Sequence, residues 1–159
     1  MSGSPLLWLV IGPNGAGKST YYETRIRPNL QVEFVNADLL AAERWPDSES
    51  DRSYEAARLA AERRSALIAA RRSFVAETVF SHSSKLDLVR AALASGYEIW
   101  VTFIYVSSPD LSAARVRARV ERGGHDVPEE KIRTRFARMP DMAREAIALV
   151  SRGFVVDNS

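Results

Sequence analysis

The chain has no cysteine and only two histidines among its 159 residues. The lack of cysteine excludes a disulfide framework, a thiolate metal site and a catalytic thiol. With His82 and His125 as the two histidines, no zinc-binding cluster is visible. No apolar run approaches membrane-spanning length, and the N-terminus lacks the basic segment and cleavage site of a signal peptide. We therefore expect no secretion, no membrane insertion and a cytoplasmic location.

An excess of one charge is also missing, since 22 basic and 20 acidic residues give a net charge of +2. The basic residues are mostly arginines that are spread along the chain. Arg63-Arg64 and Arg71-Arg72, for example, alternate with Glu55 and Glu62 on a predicted helix. Because a nucleic-acid-binding surface would cluster its basic residues on one face, this mixture argues against such a surface. Nucleic acid is not the expected partner.

Strand and helix patterns alternate along the whole chain. The predicted strands are 6–11, 31–35, 73–78, 98–106 and 153–156. The predicted helices are 18–26, 39–44, 53–70, 86–94, 111–122 and 129–150, the last interrupted at Pro140, and a polar loop is predicted over 47–51. Such alternation is typical of a parallel sheet with helices on both faces. At 46% hydrophobic composition, the chain predicts a single domain over residues 1–159.

The most specific motif follows the first predicted strand and opens a helix, and it matches the phosphate-binding loop G-x-x-x-x-G-K-[ST]. Its residues, with the one that follows, are Gly12, Pro13, Asn14, Gly15, Ala16, Gly17, Lys18, Ser19 and Thr20. The glycines let backbone N–H groups point at phosphate oxygens, and the helix that starts at Lys18 adds its positive end. Lys18 supplies a cation to the β- and γ-phosphates, and Ser19 offers a hydroxyl to magnesium. The motif predicts binding of ATP and Mg²⁺.

Two carboxylates lie at the carboxyl ends of predicted strands, where open α/β sheets build their sites. Asp38 comes after the second strand and is a candidate base for an acceptor hydroxyl, as a kinase requires. An aspartate before a helix is also a common N-cap, so both roles stay open. Glu77 ends the third strand after an apolar run, and a carboxylate there is costly without a partner. Magnesium-bound water, a lysine or a substrate hydroxyl would serve as that partner.

Arginines recur on the predicted helix 111–122. Arg115, Arg119 and Arg122 share one face by their spacing, whereas Arg117 points elsewhere. The three suit a lid that neutralises charge on a transferring phosphoryl group. A solvated basic face fits the same spacing.

Several segments resemble the zeta-toxin family of P-loop kinases, particularly its compact chromosomal relatives. They are GPNGAGKST at 12–20, NADLL at 36–40, FVAETVFSH at 74–82, ARVRARVERGGHDVPEEKIRTRF at 114–136 and VVDNS at 155–159. The resemblance implies a three-layer P-loop NTPase sandwich with a five-stranded parallel sheet of order 2-3-1-4-5 and a small helical lid over about residues 112–136. It also implies that the sugar hydroxyl of UDP-N-acetylglucosamine is phosphorylated with ATP, and that an antitoxin protein is a partner.

The resemblance assigns roles to individual residues. Lys18 and Ser19 would hold ATP and magnesium, Asp38 would act as the base, and Glu77 would approach the metal through water. Arg119, helped by Arg122 and Arg135, would clamp the transferring phosphoryl group, and Asn158 would lie near the adenine. The implied acceptor pocket consists of Asp38, Glu77, Thr78, Ser81, His82 and Arg135.

Three functions remain open from the residues. The chain is a small-molecule kinase of zeta-toxin type, a kinase acting on polynucleotide ends or another nucleotide, or a non-catalytic nucleotide-binding switch. An ATPase motor is disfavoured because no hydrophobic run ends in Asp-Glu.

Overall fold

Five parallel strands form one sheet in the computed structural model, which describes residues 3–159 apart from the side chains of residues 49 and 50. The strands are β1 Leu6–Ile11, β2 Glu33–Val35, β3 Phe74–Thr78, β4 Glu98–Tyr105 and β5 Arg152–Asp157. Their order across the sheet is β2-β3-β1-β4-β5, which confirms the expected order. In the register of the sheet, Ile11 at the end of β1 aligns with Thr78 and with Phe103. The segments that follow β1 and β3 therefore begin side by side.

Helices cover both faces of this sheet, as predicted. They are α1 Lys18–Tyr21, α2 Ala37–Arg44, α3 Ser53–Ala69, α4 Ser84–Ala94, α5 Pro109–Glu121 and α6 Glu129–Leu149. One apolar cluster joins α3, α4 and α6 to one face, and a second joins the α1 region to the other. None of the helices within residues 3–159 is both long enough and apolar enough to cross a membrane.

Two local predictions differ from the structure around the first helix and the polar loop. The predicted helix 18–26 begins as α1 but continues as a π-helical turn over Tyr22–Ile26. The Tyr22 ring stacks on Phe34 with 3.7 Å between ring centroids, so aromatic packing stabilises the wider turn. The predicted loop 47–51 is wrong in part, because Glu49–Arg52 forms a 3₁₀ turn that leads into α3.

The predicted interruption at Pro140 is wrong, since α6 continues through this residue. Pro140 is exposed, whereas its neighbour Met139 and the later Ala143 are buried. The apolar stripe therefore packs on both sides of the proline, and its burial outweighs the lost backbone hydrogen bond.

Candidate active site

The loop after β1 has the backbone conformation that its glycines allow. Gly15 and Gly17 have φ values of 74° and 93°, in the left-handed region that favours glycine. Close neighbours also exclude larger side chains from the loop, because a Cβ added at Gly12 would lie 2.8 Å from the carbonyl oxygen of Ile104. The loop is therefore packed tightly against the end of β4, in a shape suited to phosphate binding.

Lys18 is the buried cation of this loop, with only 7% of its surface exposed. Its Nζ donates to the carbonyl oxygens of Gly12 and Pro13, both at 3.0 Å, and lies 3.9 Å from Oε1 of Glu77. Burial lowers the pKa of Lys18, and the negative charges of Glu77 and Asp38 oppose that shift. The ammonium group is thus held at the loop, where it can contact phosphate oxygens.

Glu77, near the end of β3, receives two hydrogen bonds on the same carboxylate oxygen. Ser19 Oγ donates to Oε2 at 2.9 Å, and Asn36 Nδ2 donates to it at 2.5 Å. A hydroxyl beside a carboxylate fits Mg²⁺, which takes one or two protein oxygens and completes its shell with water and phosphate. Within residues 3–159, no group of three or more Asp, Glu, His or Cys side chains has metal-site geometry. These oxygens therefore fit a magnesium ion that the nucleotide helps to hold.

Asn36, the first residue after β2, is the N-cap of α2. Its Oδ1 accepts hydrogen bonds from the backbone N–H groups of Asp38 at 2.8 Å and Leu39 at 3.2 Å. This cap starts α2 at Ala37, two residues before the predicted start, and the N-cap interpretation of Asp38 is wrong. The carboxylate of Asp38 is exposed in the first turn of α2. Asn36 was not assigned a role from the sequence, although its place directly after a strand was visible.

Two cavities meet at this loop. The first, of about 530 Å³, is lined by Ser19, Thr20 and residues of α5. The second, of about 400 Å³, is lined by Asp38 and by residues that follow β3. Gly15, Lys18, Glu77 and Arg119 line both. A nucleotide in the first cavity and an acceptor in the second would therefore meet beside Lys18 and Glu77.

All residues of the expected acceptor pocket line the second cavity: Asp38, Glu77, Thr78, Ser81, His82 and Arg135. Some of these side chains also hold the local backbone. Thr78 Oγ1 accepts from the Phe80 N–H at 3.3 Å, and His82 Nδ1 accepts from the Ser84 N–H at 3.1 Å at the start of α4. Their roles toward a substrate stay predictions.

The arginines of α5 and of its C-cap, Arg122, point in different directions, as their spacing predicts. Arg115, Arg119 and Arg122 line the first cavity, while Arg117 is exposed and forms an ion pair with Glu129 at 3.3 Å. Arg119 donates through Nε and Nη2 to the carbonyl oxygen of His125, at 3.1 and 2.8 Å, and so fixes the loop after α5.

Asn158 and Arg135 contact the phosphate loop directly. Asn158 Nδ2 donates to the carbonyl oxygen of Ala16 at 2.8 Å, and its own carbonyl accepts from Arg115 Nη1 at 2.6 Å. Arg135 Nη1 lies 3.5 Å from Oδ1 of Asn14. Asn158 thus supports the loop backbone, and its expected contact with adenine stays a prediction.

Three cations of the second cavity were missed, namely Arg64 on α3, Lys85 on α4 and the exposed Lys131 on α6. From the sequence, Arg64 was only one of the basic residues that alternate with acidic ones on this helix, yet only 5% of Arg64 is exposed. The sequence does contain an indication that Arg64 is buried, since Arg64 continues the helical spacing of the apolar residues Ala56 and Ala60.

A family model described as an AAA domain (AAA_33) matches residues 7–142. The matched segment contains the phosphate loop, Asp38, Glu77 and the arginines of α5. It also contains the cations that line the second cavity.

Three of the solved structures that share the fold are similar over more than nine-tenths of this chain. A Chloroflexus aurantiacus protein provisionally named a kinase is 18% identical, with a TM-score of 0.71 over 98% of this chain and 89% of its own. A structure from the PezAT chromosomal toxin-antitoxin system of Streptococcus pneumoniae is 16% identical, with a TM-score of 0.73 over 99% and 69%. The AvrRxo1-ORF1:ORF2 structure with ATP is 18% identical, with a TM-score of 0.73 over 92% and 51%. This chain thus spans about half of the matched AvrRxo1 chain, and the fold is that of P-loop kinases.

Proposed function

The chain belongs to the AAA_33 family of AAA domains, and we propose that it is an ATP-dependent kinase that phosphorylates a hydroxyl group of a small molecule. The observation that carries this proposal is the junction of two cavities at Lys18, Glu77 and Arg119. A kinase needs its nucleotide and acceptor on opposite sides of the transferring phosphoryl group. A protein that only bound a nucleotide would have no need of the second cavity.

Each group of residues has a different role in such a phosphoryl transfer. The phosphate loop and Lys18 bind the triphosphate, and Ser19 with Glu77 would hold Mg²⁺, which when bound neutralises charge on the phosphates. Asp38, exposed in the second cavity, would orient the acceptor hydroxyl and take its proton. Arg119 lines both cavities and would stabilise charge on the transferring group.

For the acceptor we propose a nucleotide sugar, with UDP-N-acetylglucosamine as the first candidate. The support is the resemblance of five segments to zeta-toxin kinases, together with the similarity of the fold to the PezAT structure. The expected acceptor residues all line one cavity, which agrees with this choice. An antitoxin protein is the partner that the same resemblance suggests.

The test is phosphoryl transfer from ATP with magnesium across nucleotide sugars, free nucleotides and 5′-hydroxyl oligonucleotides, with products followed by mass. Wild type is compared with Asp38→Asn, and Asp141→Asn is the matched control because Asp141 is 82% exposed on α6. We expect a phosphorylated nucleotide sugar from wild type and the control, and a loss of about a hundredfold or more in Asp38→Asn. Phosphorylation of oligonucleotides alone would contradict the small-molecule acceptor. Equal rates in all three proteins would contradict the role of Asp38.

A further inference from the structure

Arg64 is a buried cation that the kinase mechanism does not use. Only 5% of the residue is exposed, and it lines the second cavity. Among the side chains that the structure describes, none forms a hydrogen bond or an ion pair with its guanidinium group. Burial lowers the pKa of Arg64, and no charge among the described side chains offsets the shift. An unpaired buried charge is costly, so a ligand with negative charge is the natural partner.

Two further cations lie close to Arg64 in the same cavity. Burial lowers the pKa of Lys85 to about 8, and the positive charges of Arg64 and Arg135 contribute to the shift. Burial also lowers the pKa of Arg135, whereas Asp38 acts in the opposite direction. The positive charges of Arg64 and Arg135 therefore both act on Lys85 within this cavity.

The carboxylates of the second cavity do not neutralise this cluster. Glu77 has Lys18 as its cationic neighbour, 3.9 Å away, and Asp126 is exposed, as is the additional cation Lys131. The charge of Asp38 opposes the lowering of the pKa of Arg135. The cluster thus has an excess of positive charge.

The nucleotide does not account for the cluster either. Arg64, Lys85 and Arg135 line the second cavity and are absent from the lining of the first. Lys18, Arg115, Arg119 and Arg122 already supply positive charge to the first cavity. The additional charge therefore belongs to the acceptor side.

We propose that the acceptor carries an anionic group, a phosphate or a carboxylate, separate from the hydroxyl that is phosphorylated, and that Arg64, Lys85 and Arg135 bind this group. The inference rests on the proposed kinase function and specifies its substrate class. In the transfer, the acceptor oxygen forms a bond to the γ-phosphorus, the bond between that phosphorus and the leaving oxygen of ADP breaks, and the hydroxyl proton passes to Asp38. The anionic group is unchanged and serves to orient the acceptor toward Asp38.

The first test measures binding of inorganic phosphate, and of acetate in parallel, to the full chain saturated with magnesium and a non-hydrolysable ATP analogue. The variants are Arg64→Met and Lys85→Gln. The control is Arg144→Met, because Arg144 is 81% exposed on α6. Loss of a charge-assisted hydrogen bond predicts that phosphate or acetate binds at least about tenfold more weakly to Arg64→Met, with no change in the control. Thermal unfolding verifies that each variant is folded. If Arg64→Met does not fold, the comparison of Lys85→Gln with the control tests the proposal.

The outcomes separate this inference from the proposed function. Stronger binding of phosphate than acetate would identify a phosphorylated acceptor, and the reverse a carboxylated one. Binding that is unaffected in both cavity variants, or no binding of either anion to the analogue-saturated protein, would overturn the inference while leaving the kinase intact. Failure of the ATP analogue itself to bind would instead refute the proposed function.

Discussion

Asn36 links the start of α2 to the carboxylate of Glu77, and its substitution tests whether this link contributes to stability. Its Oδ1 caps α2, and its Nδ2 donates to the carboxylate of Glu77. Asn36→Ala removes both interactions. Asn36→Asp keeps the cap but replaces the donor with a second carboxylate beside Glu77.

The magnitudes follow from the two contacts. Loss of an N-cap side chain costs about 1 kcal/mol, and loss of a hydrogen bond to a charged group costs about 1.5–3 kcal/mol. Glu77 keeps its hydrogen bond from Ser19, which favours the lower part of that range. We therefore expect Asn36→Ala to reduce the free energy of unfolding by about 2–3 kcal/mol. For Asn36→Asp we expect about 2 kcal/mol, mainly from repulsion between carboxylates.

Urea unfolding near neutral pH measures these values, with a double-variant cycle as the decisive comparison. In Asn36→Asp combined with Glu77→Gln, the new carboxylate can accept from the glutamine amide. Stability should then recover by about 1–2 kcal/mol relative to the single Asn36→Asp variant. Transfer activity should stay low, because the carboxylate of residue 77 is lost. Additive effects of the two substitutions would refute the coupling of Asn36 to Glu77.

Two further predictions concern the phosphate loop and the cation cluster. In Gly12→Ala the added Cβ would lie 2.8 Å from the Ile104 carbonyl oxygen, so the loop must shift, and calorimetry should show ATP affinity reduced by about tenfold or more. Gly3→Ala is its control, since a Cβ there meets nothing within 4 Å, and unchanged affinity in Gly12→Ala would contradict the packing argument. Lys85→Gln should raise the melting temperature at neutral pH, because the folded-state pKa of Lys85, about 8, lies below its ordinary value of 10.5 and charging the folded protein is therefore unfavourable. The gain should shrink as pH rises through about 8 toward 10.5, and a gain that is constant with pH would argue against a charge effect.

Local sequence patterns predicted most of the fold. The apolar run at 6–11 and the glycine-rich loop after it placed the central strand and the nucleotide site, because both depend on short-range chemistry. Pro140 was misinterpreted because the burial that keeps α6 continuous comes from α4 and the sheet, which are distant in sequence. The helix propensity of the local sequence contains no information about such long-range packing.

The sequence predicted those residues of the candidate site that lie at the ends of strands. Asp38 follows β2 and Glu77 lies near the end of β3, and the parallel register brings both to the phosphate loop. Arg64 was missed because its environment depends on where α3 packs relative to β3 and α4. Its position in an apolar helical stripe, however, marks an arginine that is buried, and buried charge requires a partner.

The central claim is that ATP in the first cavity phosphorylates a small molecule in the second. The most direct measurement is incubation of the protein with ATP, magnesium and a deproteinised metabolite extract, followed by mass spectrometry for molecules that gain one phosphoryl group. We predict that wild type produces a phosphorylated small molecule and that Lys18→Met does not. ATP binding that depends on Lys18, without any phosphorylated product from the extract, would contradict the claim.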